Sequence, residues 1–191
     1  MKFKARILVL AGLVGLAGAS FASDPKKLDR TDAIWAAVDD RMLAQQDIWF
    51  DEGDFPAAIQ ILKVEAERYP SNYDVWTNLG WMQENIQDWD AALATYIRYR
   101  RDNPQDPDAA LPEATYFSMK KLYSKIPELL EPVIKRNCHP NNFRLLASAY
   151  EKQKMYTDSI RVWKLYLKRD PKDGAAKSNL ARVEKKLASA G

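Results

Sequence analysis

The chain has 191 residues, enough for one domain with a continuous apolar core, and 47% of them are hydrophobic. It contains 29 basic and 26 acidic residues, but Lys2, Lys4 and Arg6 lie at its start, so the remainder carries no net charge. This balance excludes nonspecific nucleic-acid binding, which needs a basic excess to neutralise phosphates. One histidine and one cysteine cannot supply a usual zinc site, so we expect neither a metal nor a cofactor.

Residues 1–22 have the pattern of a secretory signal peptide. Three basic residues precede an apolar run over 7–18, and small residues follow as far as Ala22. Because the stretch 7–22 is shorter than the roughly 20 apolar residues that cross a bilayer, we expect cleavage after Ala22, with a retained anchor as the alternative. The released chain then has no membrane span, begins with a flexible segment over 23–29, and is extracytoplasmic, either periplasmic or secreted.

A helical hairpin is predicted over 39–72. Apolar residues at helical spacing indicate a long first helix, and a turn follows around Gly53. Pro56 fits the first turn of the return helix because no amide hydrogen is needed there. Ala58 supplies a small residue on that helix, and Pro70 ends it because proline cannot continue a helix.

The segment 73–106 repeats this pattern with an offset of 34 residues. A glycine inside a helix costs about 1 kcal/mol of helix propensity, so Gly80 needs a packing reason. We infer that Gly80 and Ala92 allow two helices to approach closely where they cross, and that Pro104 ends the second helix. The large residues expected around this contact are Trp76, Leu79 and Tyr96.

The segment 107–139 is the least regular. Pro112 opens a helix that is predicted to run through Tyr123, and Pro127 opens a return helix with apolar residues at helical spacing. Pro132 lies inside that return helix, where it removes a backbone hydrogen bond at a cost of about 3 kcal/mol. We therefore expect a hairpin whose return helix is bent at Pro132.

The segment 140–173 returns to the regular pattern, and a last helix is predicted over 174–189. Apolar residues lie on one side of that helix and basic residues on the other, as in the solvating cap that an array of repeats needs. The residues at the packing offsets of the fourth hairpin are Leu146, Ala147, Tyr150, Trp163 and Pro171.

These hairpins resemble the tetratricopeptide repeat (TPR) family, whose period is 34 residues. Two positions depart from the family pattern, because Gln83 stands where a tyrosine is usual and Tyr99 where a small residue is usual. The resemblance implies an all-α fold, a right-handed superhelix of about four helix-turn-helix hairpins with a C-terminal capping helix, in one domain over 30–191. The residues that carry it best are Trp76, Leu79, Gly80, Ala92, Tyr96 and Pro104.

The resemblance also implies a binding surface, because the first helix of each TPR hairpin lines a concave groove. Trp81 is turned by about 100° from Gly80 on the helix, so we expect it in the groove, with capping of the hairpin interface as the alternative. The expected groove residues are Leu43, Asp47, Phe50, Asp51, Thr77, Trp81, Glu84, Asn85, Arg144, Ser148, Glu151 and Lys152.

Charge is distributed unevenly along the chain. Residues 23–106 contain 9 basic and 17 acidic residues, whereas residues 107–191 contain 17 basic and 9 acidic residues. Fields of this kind orient a partner more than they add affinity. The alternative interpretation is that these are solvated faces without a role in binding.

No set of residues predicts catalysis. Cys138 and His139 are adjacent in a predicted turn and do not easily face one point, and Cys138 reads more simply as a half-buried small apolar residue than as a reactive thiol. Pairs of carboxylates fall at helix starts, turns and exposed faces, where solvation and the helix dipole explain them. We therefore do not expect an enzyme.

Three functions from different classes remain. The leading hypothesis is a secreted or periplasmic adaptor that binds a peptide segment or a protein partner in its groove. A structural alternative is a homo-oligomer in which the acidic N-terminal half of one copy meets the basic C-terminal half of another, head to tail. A carboxylate-dependent glycan hydrolase on a helical solenoid is a distant third.

Overall fold

A computed structural model describes residues 30–190, and their packing divides the chain into two compact parts, one ending at Asp40 and one beginning at Arg41. The predicted signal peptide and the segment 23–29 lie outside the described residues. Within 30–190 the chain is all-helical and has no strand. Its helices are α1 (Arg30–Glu52), α2 (Phe55–Arg68), α3 (Tyr73–Asn85), α4 (Trp89–Asp102), α5 (Leu111–Met119), α6 (Ile126–Leu130), α7 (Pro140–Lys152), α8 (Tyr156–Arg169) and α9 (Gly174–Ala188).

Helices in the part that begins at Arg41 pack mainly on their neighbours in sequence. Helices α3 and α4 form one hairpin, and α7 and α8 form another. Helix α2 packs on the first hairpin through α3, and α9 packs on the second through α8. The shorter helices α5 and α6 lie between the two hairpins, and both contact α7. This nearest-neighbour packing is characteristic of repeat arrays.

Local sequence signals set the ends of these helices. Asp54, Asn72 and Asp88 cap α2, α3 and α4 by accepting backbone N–H groups of the first turn. Helices α2, α4 and α8 each end two residues before a proline, and the residue between has left the helical conformation, with a positive ψ. Those prolines are Pro70, Pro104 and Pro171.

Gly80 lies where α3 meets α4, and its missing side chain leaves room for Tyr96. A Cβ atom on Gly80 would lie 2.1 Å from Cε1 and 2.4 Å from Cζ of the Tyr96 ring. The ring cannot simply move away, because Tyr96 is buried and its hydroxyl donates to Glu84 at 3.2 Å. The close helix contact that the sequence predicted therefore involves a tyrosine ring over the glycine.

Buried side chains from α2 to α9 form the apolar interior of the array. One buried cluster joins α2, α3 and Tyr99, and a second extends from α4 to α9. Burial at these positions is what stabilises a repeat array, since a single hairpin cannot cover its own apolar face. The residues assigned to packing from the sequence that the structure buries are Ala58, Trp76, Leu79, Gly80, Ala92, Tyr96, Leu146, Ala147, Tyr150 and Trp163.

Helix α1 is less buried than the helices that follow it. None of its residues is buried, and its last turns contact neighbours through Trp49 and Phe50. One period before Leu79 and Gly80 the chain has Gln45 and Gln46, and both are half-buried. The first hairpin thus has longer, polar side chains where the second has Leu79 and Gly80, and its regular packing over 39–72 stays a prediction.

Helix α5 is shorter than predicted. It ends at Met119 and does not run through Tyr123, which begins a separate 3₁₀ turn. Lys121 between them has a φ of +60°, a left-handed conformation that ends a helix.

The return helix of the third repeat is interrupted, not bent as the sequence analysis proposed. Helix α6 has five residues and ends at Leu130, and a 3₁₀ turn follows over Val133–Lys135. Pro132 has helical dihedral angles, φ −64° and ψ −33°, but it has no N–H to donate to the carbonyl of Glu128. The missing hydrogen bond therefore divides this element into two short pieces.

We expect Gly80→Ala to lower the free energy of unfolding by about 1 to 3 kcal/mol, because the new methyl group overlaps the Tyr96 ring. Urea unfolding followed by circular dichroism measures this change. Gly174→Ala is the control, since a Cβ at Gly174 meets no atom within 4 Å. Equal stability of the two variants would contradict the packing role of Gly80.

Candidate functional site

Two clefts lie next to each other along the first helices α3, α5 and α7. The larger has a volume of about 520 Å³ and the smaller about 340 Å³. Because Leu111 and Asn141 line both clefts, we treat them as one groove. The other residues that line this groove are Tyr73, Asp74, Asp106, Asp108, Thr115, His139, Arg144, Leu145 and Ser148.

Two carboxylates of the larger cleft are held in place by neutral donors. Asp106 accepts the Tyr99 hydroxyl at 2.7 Å and the backbone N–H of Asp108 at 2.8 Å. Asp108 accepts the backbone N–H of His139 at 2.8 Å and the side-chain amide of Asn142 at 2.6 Å. These bonds connect the segment before α5 to the start of α7 and fix both carboxylates at the wall of the cleft.

The third carboxylate of this cleft belongs to Asp74, in the first turn of α3. It is exposed, and none of the described residues donates to its carboxylate oxygens. The pKa of the neighbouring Tyr73 is raised to about 12, chiefly by burial, with the charges of Asp108, Asp106 and Asp74 adding to the shift. The larger cleft is therefore a region of negative potential.

A bond between a tyrosine and an aspartate seven residues later occurs in two repeats. The Tyr99 hydroxyl donates to Asp106 at 2.7 Å, and the Tyr166 hydroxyl donates to Asp173 at 3.0 Å. Tyr99 thus has a structural reason to depart from the small residue that is usual in the family. The equal spacing of the two pairs was the sequence signal that could have revealed this bond.

Arg144 is the cation of the smaller cleft, and its charge is already paired. Its guanidinium donates to Asp173 at 2.8 Å and to the side-chain oxygen of Asn141 at 3.2 Å, and it lies over the Tyr166 ring. The backbone N–H of Ala176, and after it Arg144, lower the pKa of Asp173 from 3.8 to about 2. Asp173 is therefore ionised at neutral pH and offsets the positive charge of Arg144.

Trp81 and Trp76 have different environments on α3. The Trp76 side chain is 2% exposed and lies under the Arg98 guanidinium, whereas Trp81 is 45% exposed. The Trp81 ring lies 6.0 Å from the Phe50 ring, measured between centroids, and Phe50 is itself exposed. These two rings form an accessible aromatic pair, which we call the Phe50–Trp81 pair.

The groove residues predicted from the sequence fall into two groups. Arg144 and Ser148 line the smaller cleft. The others lie outside the two cleft linings, and several bond within the chain: Thr77 to the Tyr73 carbonyl, Glu84 to the Tyr96 hydroxyl, Asn85 to the Trp81 carbonyl, and Glu151 to Arg182 and Lys186. Asp47, Asp51, Leu43 and Lys152 are exposed.

The sequence analysis did not predict the part of the groove that is formed by the first turns of α3 and α7. Asp74 lies three residues before Thr77, and Asn141 lies three residues before Arg144, so both share a helix face with a predicted groove residue. Extending the same spacing by one turn would have found them. Asp106 and Asp108 precede α5, and the position of Asp108 in the cleft depends on bonds from His139 and Asn142 that the sequence does not display.

Neither a membrane helix nor a metal centre is found in the part of the chain that the structure describes. No helix over 30–190 combines the length and the apolar character needed to cross a bilayer. Among the same residues, no three or more His, Cys, Asp or Glu side chains are grouped so that they could hold a metal ion.

Comparison with known proteins agrees with this architecture. Residues 50–111 match the family described as Tetratricopeptide repeat. The structure of MamA, residue 41 to the end, from Desulfovibrio magneticus RS-1 superposes with a TM-score of 0.60 at 16% identity, over 78% of this chain and 85% of that chain. The fold is of the TPR type.

A second TPR structure gives the same result. A tetratricopeptide repeat protein from Parabacteroides merdae superposes with a TM-score of 0.64 at 19% identity, over 78% of this chain and 60% of that chain. Identities this low relate the folds alone. No curated protein sequence matches the chain.

We expect Trp76→Ala to lower the free energy of unfolding by about 3 to 5 kcal/mol, because it empties a buried site of the TPR hairpin. Trp81→Ala removes a half-exposed ring, so its cost stays below about 1 kcal/mol. Denaturant unfolding of both variants makes the comparison. Similar large losses for the two would show that Trp81 belongs to the interior.

Acid is expected to remove the stabilising contribution of Asp173. Its folded pKa is lower than its ordinary value, so the contribution is present above pH 3.8 and is lost as the pH falls toward about 2. Asp173→Asn keeps a capping side chain for α9 but has no charge, which makes it the matched variant. The stability difference between parent and variant, from urea unfolding, is expected to shrink over this pH range, and a constant difference would contradict the assignment.

Proposed function

We propose that the chain is a non-catalytic scaffold that holds a segment of a partner protein in the groove of its TPR array. The observation that carries this proposal is the groove itself. It runs along the first helices of successive repeats and is lined by side chains with unused bonding capacity, such as the Asp74 carboxylate. Protein interaction is the use to which the TPR-type fold is suited, because stacked hairpins leave an extended concave surface.

The Phe50–Trp81 pair supports the same function. Trp81 lies seven residues after Asp74 on α3, so both project to the same side of that helix. Tryptophan is enriched among the residues that dominate binding energy, because a large rigid ring buries much apolar area at little entropic cost. An exposed aromatic pair on this side therefore supplies an apolar anchor next to the polar clefts.

The compartment in which this scaffold acts is proposed from residues 1–22 alone. A basic start, an apolar run and small residues up to Ala22 are the features of a secretory leader. We accordingly place the scaffold outside the cytoplasm, in the periplasm or among secreted proteins.

Self-assembly is the second candidate, and the opposite charge of the two halves of the chain favours it. Head-to-tail contacts between copies would be heterologous and could form open chains. Light scattering over a series of salt concentrations separates the two candidates, because contacts between opposite charges weaken as ionic strength rises.

Selection of peptides tests the proposed scaffold function. A random library of 12-residue peptides is displayed on phage and selected on the immobilised full chain. The enriched peptides are then synthesised with a fluorescent label, and their affinity for the parent and for variants is measured by anisotropy. We expect Trp81→Ala to weaken binding by tenfold or more, because the ring is an anchor of the groove face.

Val64→Ala is the matched control for this experiment. Val64 is an exposed apolar residue on α2, the second helix of its hairpin, whereas the groove follows the first helices. Its loss is therefore expected to change the affinity less than twofold. The proposal fails if no peptide is enriched, or if the enriched peptides bind Trp81→Ala and the parent equally well.

A further inference from the structure

We infer that the segment seated in the groove is cationic: it is a stretch of a partner protein that places Lys or Arg side chains against Asp74, Asp106 and Asp108. An apolar side chain of the same segment lies against Leu111 and Leu145. This inference rests on the proposed scaffold function and adds the chemistry of the partner to it.

The charge of the groove is the first argument. Its carboxylates at Asp106 and Asp108 accept hydrogen bonds from a hydroxyl, backbone N–H groups and an amide, all of which are neutral. No Lys or Arg among residues 30–190 forms an ion pair with either carboxylate or with Asp74. Three negative charges therefore share one cleft without an ion-pair partner among residues 30–190.

The cation of the groove does not cancel this charge. Arg144 forms an ion pair with Asp173 at 2.8 Å, so its field is offset by a carboxylate outside the two cleft linings. His139 lines the larger cleft, and its Nδ1 atom accepts the backbone N–H of Asn141. An anionic segment would thus meet repulsion at the larger cleft and find no free cation in the smaller one.

Other acidic and aromatic groups continue the same chemistry beyond the clefts. Asp47 and Asp51 are exposed on α1, on either side of Phe50. The Phe50–Trp81 pair presents ring faces, and an indole ring attracts Lys and Arg by a cation–π interaction as well as apolar side chains. A segment with mixed cationic and apolar residues is complementary to both regions, whereas a purely apolar one leaves the carboxylates without a partner.

The shape of the site argues for a peptide and against a simple ion. The larger cleft has a volume of about 520 Å³, which is far more than a metal ion needs. The described residues also place no group of three acidic, histidine or cysteine side chains together as metal ligands. The joined clefts instead follow successive first helices, so their direction suits an extended chain whose side chains enter one cleft after the other.

Two synthetic peptide pools test the sign of the charge. Both contain labelled 12-residue peptides with Leu, Phe, Gly and Ser at the same positions, and they differ only in carrying Lys and Arg or Glu and Asp at the remaining ones. Anisotropy with the full chain is expected to show at least tenfold tighter binding of the basic pool. Raising the NaCl concentration is expected to weaken that binding.

Asp74→Asn is the groove variant, because its carboxylate has no bond within the described chain that the substitution would break. We expect it to weaken the basic pool by about threefold or more. Asp90→Asn is the matched control: Asp90 is exposed and has the second position of α4, as Asp74 has in α3. Equal weakening by the two variants would overturn the assignment to the groove.

The remaining outcomes separate this inference from the proposed function. If acidic or uncharged peptides bind as tightly as basic ones and Trp81→Ala abolishes that binding, the charge inference is wrong and the scaffold function stands. If neither pool nor any displayed peptide binds, the scaffold function itself fails. If the chain is dimeric and basic peptides do no more than dissociate the dimer, the groove is occupied by the basic half of a second copy. That outcome would overturn the inference of a separate partner protein.

Discussion

The contact between Gly80 and the ring of Tyr96 sets the separation of α3 and α4, and the repeats on both sides depend on it. A methyl group at Gly80 would lie within 2.4 Å of two ring atoms, so the helices could not stay at their present distance. The same hairpin positions Trp76 in the interior and directs Trp81 outward. Because each repeat packs only on its neighbours, a change in the separation of α3 and α4 would also shift the helices that line the groove.

Packing and electrostatics use the same residues in this array. Asp106 binds the Tyr99 hydroxyl and so joins α4 to the next repeat, and its carboxylate also lines the larger cleft. Asp173 joins α8 to α9 in the same manner and neutralises Arg144. The repeated tyrosine and aspartate thus connect consecutive repeats while giving the two ends of the groove different charges.

Features that depend on local spacing could be predicted from the sequence, and features that depend on distant contacts could not. Gly80, Ala92 and Pro104 identify a hairpin because each acts on its own helix or on the adjacent one. The acidic cleft was missed because Asp108 reaches it through bonds to His139 and Asn142, which lie 31 and 34 residues further along the chain.

The weak packing of residues 41–52 has a consequence for dynamics. None of these residues is buried, so few apolar contacts oppose their local unfolding, whereas α3 and α4 can open only by exposing Trp76 and Tyr99. Backbone amide hydrogens of residues 41–52 will therefore exchange with solvent far sooner than those of the α3 and α4 hairpin. The Phe50 ring belongs to this segment, so one half of the Phe50–Trp81 pair is supplied by a stretch of helix that has no buried residue.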